Sequence, residues 1–252
     1  MYETWTFKHK PKTLSEVIGN KEAIKKLVEW IKSWDKGIPK KRAAFLYGPP
    51  GVGKTVTVEA LANDLKMEFV EKNASDYRTE ENIKRFAGLA SQYGTLFGRK
   101  RLILLDELDG ISGKEDRGGL GAITRIVKTA MCPIVLIAND PYDPRFSTLR
   151  SLCLMIEFKR PHSREVAAFL KKICLKEGIE AEEAALKFIA QRAHGDVRSA
   201  INDLQALAQG KKKLTYDDVS WLAYRDRKEK IFDVLRLIFL SLIHISEPTR
   251  RS

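Results

Sequence analysis

Gly48-Pro49-Pro50-Gly51-Val52-Gly53-Lys54-Thr55 packs three glycines, a lysine and a hydroxyl into eight residues. That spacing suits one kind of chemistry. Glycines let a backbone bend around phosphate oxygens while successive N–H groups turn toward the anion. Lys54 then reaches the β- and γ-phosphates, and the Thr55 hydroxyl ligates Mg²⁺. Asp106 and Glu107 supply the complementary half. A carboxylate at a strand end beside such a loop holds the cation, and the next one polarises an attacking water. Asn139 is placed to orient that water, and Arg198 to reach the γ-phosphate from a second domain. The chemistry indicated is binding and hydrolysis of ATP.

The elements needed to position these side chains are legible. An apolar run at 43–47 precedes the glycine loop, and a helix-compatible run at 56–65 follows it. This is the strand–loop–helix setting in which the motif has physical meaning. The runs 102–105 and 133–138 read as central strands buried on both faces, with short strands at 68–71 and 154–158. Adjacent strand residues point to opposite faces, so Asp106 and Glu107 can share one site only if the chain leaves the strand between them. Asn139 ends the run 133–138, at the strand edge where open α/β sheets bind ligands.

Helices are expected from Asn20, as N-cap, to Trp34, at 79–91, and from the glycine-rich loop 110–121 to about 129. Asn73 falls in an expected turn, 73–76. Strands alternating with helices give a doubly wound parallel α/β sheet over 1–161. After Pro161 no strand signal remains. Ser163 is the expected N-cap of a helix, and further helices are expected at 181–193, 196–209 and 215–224. Those residues, 162–224, form a small helical domain, and another amphipathic helix starts near Asp226.

Composition bounds the partners. The net charge is +12, and residues 1–162 carry 28 basic against 20 acidic side chains, so the excess lies beside the phosphate loop. That favours a polyanion larger than one nucleotide, such as nucleic acid. Cys132, Cys153 and Cys174 are odd in number and widely spaced, as reduced buried thiols are. The apolar stretch 234–245 is interrupted by Arg236 and His244 and is too short to span a bilayer. Segment 1–14 has no apolar signal core. A cytoplasmic, nucleoid-associated location is expected.

Residues 48–55, 102–107, Asn139 and 195–198 together resemble Walker A, Walker B, sensor 1 and sensor 2 of the AAA+ ATPases. More narrowly, Phe7-Lys8-His9-Lys10-Pro11, Val17-Ile18-Gly19, Asp106-Glu107-Leu108-Asp109-Gly110-Ile111 and the run 113–119 resemble the archaeal replication factor C large-subunit family. The resemblance covers about residues 1–240. It implies an AAA+ nucleotide domain, a lid at 162–224, and a collar domain beginning at 225–240. It also implies a clamp loader, in which an arc of ATPases opens a ring-shaped sliding clamp and leaves it on primer–template DNA during replication. Val17 and Ile18 would line the adenine pocket, and residues 93–97 would lie near the clamp. Lys84, Arg85 and Arg117 would track DNA phosphates without reading sequence.

Two departures from the family pattern carry information. Small subunits of these loaders have Ser-Arg-Cys near the end of the nucleotide domain, and its Arg enters a neighbour's ATP site. Here the run is Leu149-Arg150-Ser151-Leu152-Cys153, with Leu152 in the place of that Arg. Such a finger contributes about 10³–10⁵ in rate, so this chain is expected to receive one and donate none. The stretch 241–252 looks foreign to the family, as if the native sequence stopped near Leu240. Two alternatives stand beside the clamp loader. One is another AAA+ remodeller of DNA or protein, such as a junction helicase motor. The other is a regulatory subunit that binds ATP without hydrolysing it, against which intact Lys54, Asp106 and Glu107 count.

Overall fold

In the computed structural model, residues 3–74, 87, 88, 90, 91, 100–111 and 117–220 are described. The expected helix at 79–91 falls mostly outside them, as do Lys84, Arg85, the Arg117 side chain, residues 93–97, the start of the collar and the foreign-looking stretch. The elements in chain order are α1 (Trp5–Lys8), α2 (Lys21–Ser33), β1 (Ala43–Tyr47), α3 (Lys54–Asp64), β2 (Glu68–Asn73) and β3 (Arg101–Asp106). They continue with α4 (Arg117–Thr129), β4 (Ile134–Ala138), α5 (Ser147–Leu152), β5 (Leu154–Glu157) and α6 (Ser163–Glu177). The last are β6 (Glu180–Ala181), α7 (Glu183–Arg192), α8 (Val197–Ala208) and β7 (Lys213–Leu214).

Five strands form a parallel sheet in the order β2-β3-β4-β1-β5. Strand alternation sends successive side chains to opposite faces, and here both faces are buried. Phe45, Ile103, Leu105, Ile134 and Leu136 join a cluster with Ile123, Val127 and Phe146. Ala44, Leu46, Leu102, Leu104 and Val135 join another with Leu27, Trp30, Ile31, Val58 and Leu61. This two-sided burial is why the strands read as continuous apolar runs. The order also brings the ends of β3, β4 and β1 side by side, and these ends carry Asp106, Asn139 and the glycine loop.

The lid, built from α6, α7 and α8, has its own core, including Val166, Leu170, Ile173, Leu186, Ile189 and Leu204. Trp5 belongs to that core although it stands at the other end of the sequence. All three cysteines are free and buried. Burial pushes the Cys132 and Cys174 thiols up to about 11 and Cys153 up to about 12, so they remain protonated and inert.

Several local expectations are corrected. Asn20 does not cap α2: it sits at φ 52° with no capping hydrogen bond. Its amide instead spans the Lys159 backbone, accepting from Lys159 N–H at 2.7 Å and donating to Lys159 O at 2.9 Å. Ser163 is the first residue of α6, not its cap. His162 is the N-cap, because its Nδ1 accepts from Arg164 N–H while Glu165 accepts from His162 N–H. A strand pair does follow Pro161, since β6 and β7 form a two-residue parallel ladder too short to give a period-2 signal. Asn73 ends β2 rather than opening a turn.

Phe146 is fully buried, and its ring meets Phe45 edge-on at 5.8 Å. Phe146→Ala is expected to cost about 3–5 kcal/mol of stability. Phe146→Leu is expected to cost less than about 1.5 kcal/mol. Chemical denaturation midpoints distinguish the two.

Candidate functional site

β1 ends at Tyr47 and the chain turns through Gly48, Gly51 and Gly53, with φ of 139°, 71° and 96°. Only glycine adopts all three without strain. Two of them also need their missing Cβ. At Gly48 a Cβ would lie 2.0 Å from Phe158 O, and at Gly51 it would lie 2.0 Å from Asp196 Oδ1. The first contact fits the loop against the exit of β5, and the second fits it against the lid.

Lys54 opens α3 and is 7% exposed. Its ammonium donates to Gly48 O at 2.6 Å, Pro49 O at 2.8 Å and Asn139 Oδ1 at 3.2 Å. Burial lowers its pKa, Asp106 and Asp109 oppose that shift, and Arg198 adds to it. Beside it, Thr55 Oγ1 donates to Asp106 Oδ2 at 2.6 Å. A hydroxyl and a carboxylate oxygen thus converge where the loop meets β3, a hard-oxygen pair that suits Mg²⁺.

β3 stops at Asp106, and Glu107 takes the left-handed conformation, φ 56° and ψ 45°. The chain therefore leaves the strand between the two carboxylates, as the sequence requires. Asp106 Oδ1 accepts from Glu107 N–H at 2.7 Å, which fixes the turn. Glu107 Oε2 accepts from Asn73 Nδ2 at 2.7 Å. Asn73 stands opposite Asp106 in the β2–β3 register.

A cleft of about 560 Å³ gathers Pro50, Gly51, Val52, Gly53, Lys54, Thr55, Asp106, Glu107, Asn139, Arg198, Val17 and Ile18. Of the residues singled out in the sequence, Gly48 and Pro49 do not line it; their carbonyls hold Lys54 instead. Thr6, Phe7 and His9 from the N-terminal segment line the cleft as well, as do Glu71 and Asp109. Burial raises the Glu71 pKa, with Asp106 and Glu59 adding to the rise and Lys10 opposing it.

The lid closes the far wall. Val197 N–H donates to Gly51 O at 3.0 Å, and Asp196 caps α8 by accepting from Ser199 N–H at 2.9 Å. Arg198 stands one residue inside that helix and lines the cleft. The N-terminal segment is fastened on both sides. Trp5 N–H donates to Gln205 Oε1 at 2.8 Å, and His9 and Lys8 meet Glu177 at 2.6 Å and 2.7 Å. Further on, Lys10 pairs with Glu59 of α3, and Leu14 N–H donates to Asp64 Oδ2 at 2.9 Å.

A glycine loop at the edge of a doubly wound sheet, faced by a helical lid, defines a nucleotide-binding module. Residues 44–144 match the ATPase family associated with various cellular activities (AAA), and 163–220 match the RFC1-like AAA+ ATPase lid domain. The chain belongs to the AAA+ ATPases, a nucleotide-binding family, and within them it is homologous to the archaeal replication factor C large subunits. It is 49% identical over 235 residues to the replication factor C large subunit of Thermofilum pendens, covering 93% of this chain and 57% of that protein. It is 49% identical over 237 residues to that of Methanosarcina mazei, covering 94% of this chain and 38% of that protein. The Staphylothermus marinus protein of the same name is 47% identical over 236 residues, covering 93% of this chain and 56% of that protein. The chain thus spans between 38% and 57% of these relatives' lengths. The fold is shared with the Thermotoga maritima RuvB Holliday junction branch migration motor, with TM-score 0.63 and 22% identity over 83% of this chain and 70% of that one.

Gly51→Ala would drive a methyl into the Asp196 carboxylate and strain a left-handed residue. It is expected to weaken nucleotide binding at least tenfold, since unstrained closure of the lid on the loop is lost. Titration with a fluorescent ATP analogue measures this.

Proposed function

We propose that this chain is the nucleotide-hydrolysing part of the large subunit of a sliding-clamp loader. The observation that carries the reading is the gathering of Lys54, Thr55, Asp106, Glu107, Asn139 and Arg198 in one cleft between sheet and lid. Homology to replication factor C large subunits gives that cleft its context. In the roles proposed, the loop N–H groups and Lys54 bind the β- and γ-phosphates of ATP, and Thr55 and Asp106 hold Mg²⁺. When held there, Mg²⁺ would supply neutralisation of charge on the phosphates. Glu107 takes the proton of the attacking water, and Asn139 orients that water. Arg198 reports the γ-phosphate to the lid, and Val17 and Ile18 close the adenine side.

The site is proposed to be completed by an arginine from a neighbouring small subunit. In this reading, position 152 of this chain offers none in return. Leu152, where that arginine stands in small subunits, packs half-buried against the main core. Arg150 is turned back on its own chain, donating to Pro141 O at 2.6 Å and Asp143 O at 3.0 Å. The proposed partners are replication factor C small subunits, the sliding clamp, and primer–template DNA bound without sequence preference. The +12 charge supports the last, and such binding weakens steeply with salt. The alternative, another AAA+ remodeller such as a junction helicase motor, has only the shared fold in its favour.

Lys54→Ala is expected to weaken ATP binding about 10- to 100-fold, the size of a lost charge-assisted hydrogen bond. Unchanged affinity in a nucleotide titration would remove the phosphate-loop assignment. A version of full family length, mixed with small subunits, clamp and primed DNA, is expected to hydrolyse ATP faster than it does alone. Phosphate-release assays showing no stimulation would overturn the clamp-loader reading.

A further inference from the structure

β4 outruns its neighbour. The β3–β4 ladder ends at Leu105↔Leu136, whereas β1 follows β4 to Tyr47↔Ala138. The reason lies at Glu107, whose left-handed backbone takes the chain out of the sheet. The chain then closes a 3-10 turn over Leu108–Gly110, with Gly110 N–H bonded to Glu107 O at 2.9 Å and Ile111 N–H to Leu108 O at 3.1 Å. This turn brings Asp109 to the end of β4. Its Oδ2 accepts from Asn139 N–H at 2.6 Å. A side-chain carboxylate therefore binds the backbone just past β4, where β3 no longer reaches. The bond is short, as charge-assisted bonds are.

The next link leads to the phosphate loop. Asn139 Oδ1 accepts from Lys54 Nζ at 3.2 Å. Asp109, Asn139 and Lys54 thus form one chain of contacts across three segments. An acidic turn residue is ordinarily solvated, but Asp109 is half-buried and lines the cleft. It also adds a negative charge to a cleft that already holds Asp106 and Glu107, which alone would disfavour a polyphosphate. Its hydrogen bond to the β4 backbone gives that placement a purpose.

We propose that Asp109 is a positioning residue for ATP hydrolysis, acting through Asn139. It fixes the end of β4, so that the Asn139 amide stays at the phosphate end of the cleft. This inference rests on the ATPase reading above.

The test uses a version of full family length assembled with clamp, primed DNA and small subunits whose own phosphate-loop lysines are replaced, so that turnover reports this chain's site. The variants are D109A, D109N, N139A and the double variant D109A/N139A. A small displacement of a positioned group costs about 10²-fold in rate. D109A is therefore expected to lower kcat by about that factor while KM for ATP changes less than about threefold. D109N keeps an acceptor oxygen in nearly the same shape and is expected to recover at least tenfold of the loss. The double variant is expected to be no slower than N139A. Amide exchange at Asn139 should accelerate in D109A but not in D109N. Wild-type kcat in D109A overturns the inference, and so does a double variant slower than N139A by the full D109A factor. D109N as slow as D109A, with Asn139 exchange unaltered, also overturns it, because charge rather than positioning would then be the cause. Failure of the ATPase reading looks different: phosphate release by the wild-type assembly would be indifferent to Lys54→Ala. The exchange experiment would still report on the Asp109–Asn139 bond.

Discussion

The lid can rest on the phosphate loop because residue 51 has no side chain. The Asp196 carboxylate occupies the space where a Cβ would stand, and the backbones of Gly51 and Val197 are joined by a hydrogen bond. Arg198 depends on this contact, since it is carried by the helix that Asp196 caps. Similar close approaches support it. Gly48 admits the Phe158 carbonyl, and a Cβ at Gly195 would lie 2.7 Å from Arg160 Cβ. The loop, the exit of β5 and the start of α8 are therefore held against one another by backbone proximity. Backbone contacts of this kind have little slack, so a shift of the loop passes directly to the lid.

The electrostatics follow from the same geometry. Burial lowers the Lys54 pKa, Asp106 and Asp109 nearby oppose that shift, and Arg198 adds to it. An ammonium whose partners are the Gly48 and Pro49 carbonyls is ready to exchange them for phosphate oxygens. The acidic side is handled by separation. Asp106 points to Thr55, and Glu107 leaves the strand and meets Asn73, so the two charges have different partners.

Much of this was readable in the residues. The apolar runs marked β1, β3 and β4 because both faces of the sheet are covered. The Asp106–Glu107 pair demanded a break in the strand, and the left-handed Glu107 supplies it. What was not readable depends on register and on contacts between segments distant in sequence. Asn73 looked like turn chemistry, and only its pairing opposite Asp106 shows that it holds Glu107. Asp109 stands in the run 106–111 that carries the family resemblance, but no role attaches to it until the 3-10 turn brings it to the end of β4. His162 is a rare cap, and Ser163 beside it carried the commoner signal. The β6–β7 ladder is two residues long, below what any periodicity can reveal.

The placement of Trp5 bears on how the chain assembles. The indole completes a core otherwise made from residues after 160, and its backbone amide is bonded to Gln205, 200 residues away. A contact that distant in sequence forms only after the cost of closing a very long loop has been met. During synthesis Trp5 emerges well before α6, α7 and α8 and waits for them to appear. Until they do, its ring lacks the apolar neighbours that surround it in the fold. The lid cut out on its own would lack a wall of its interior. The sheet domain cut out on its own would carry a detached aromatic anchor. Division by sequence order gives two units, but this tryptophan makes their final consolidation a single event.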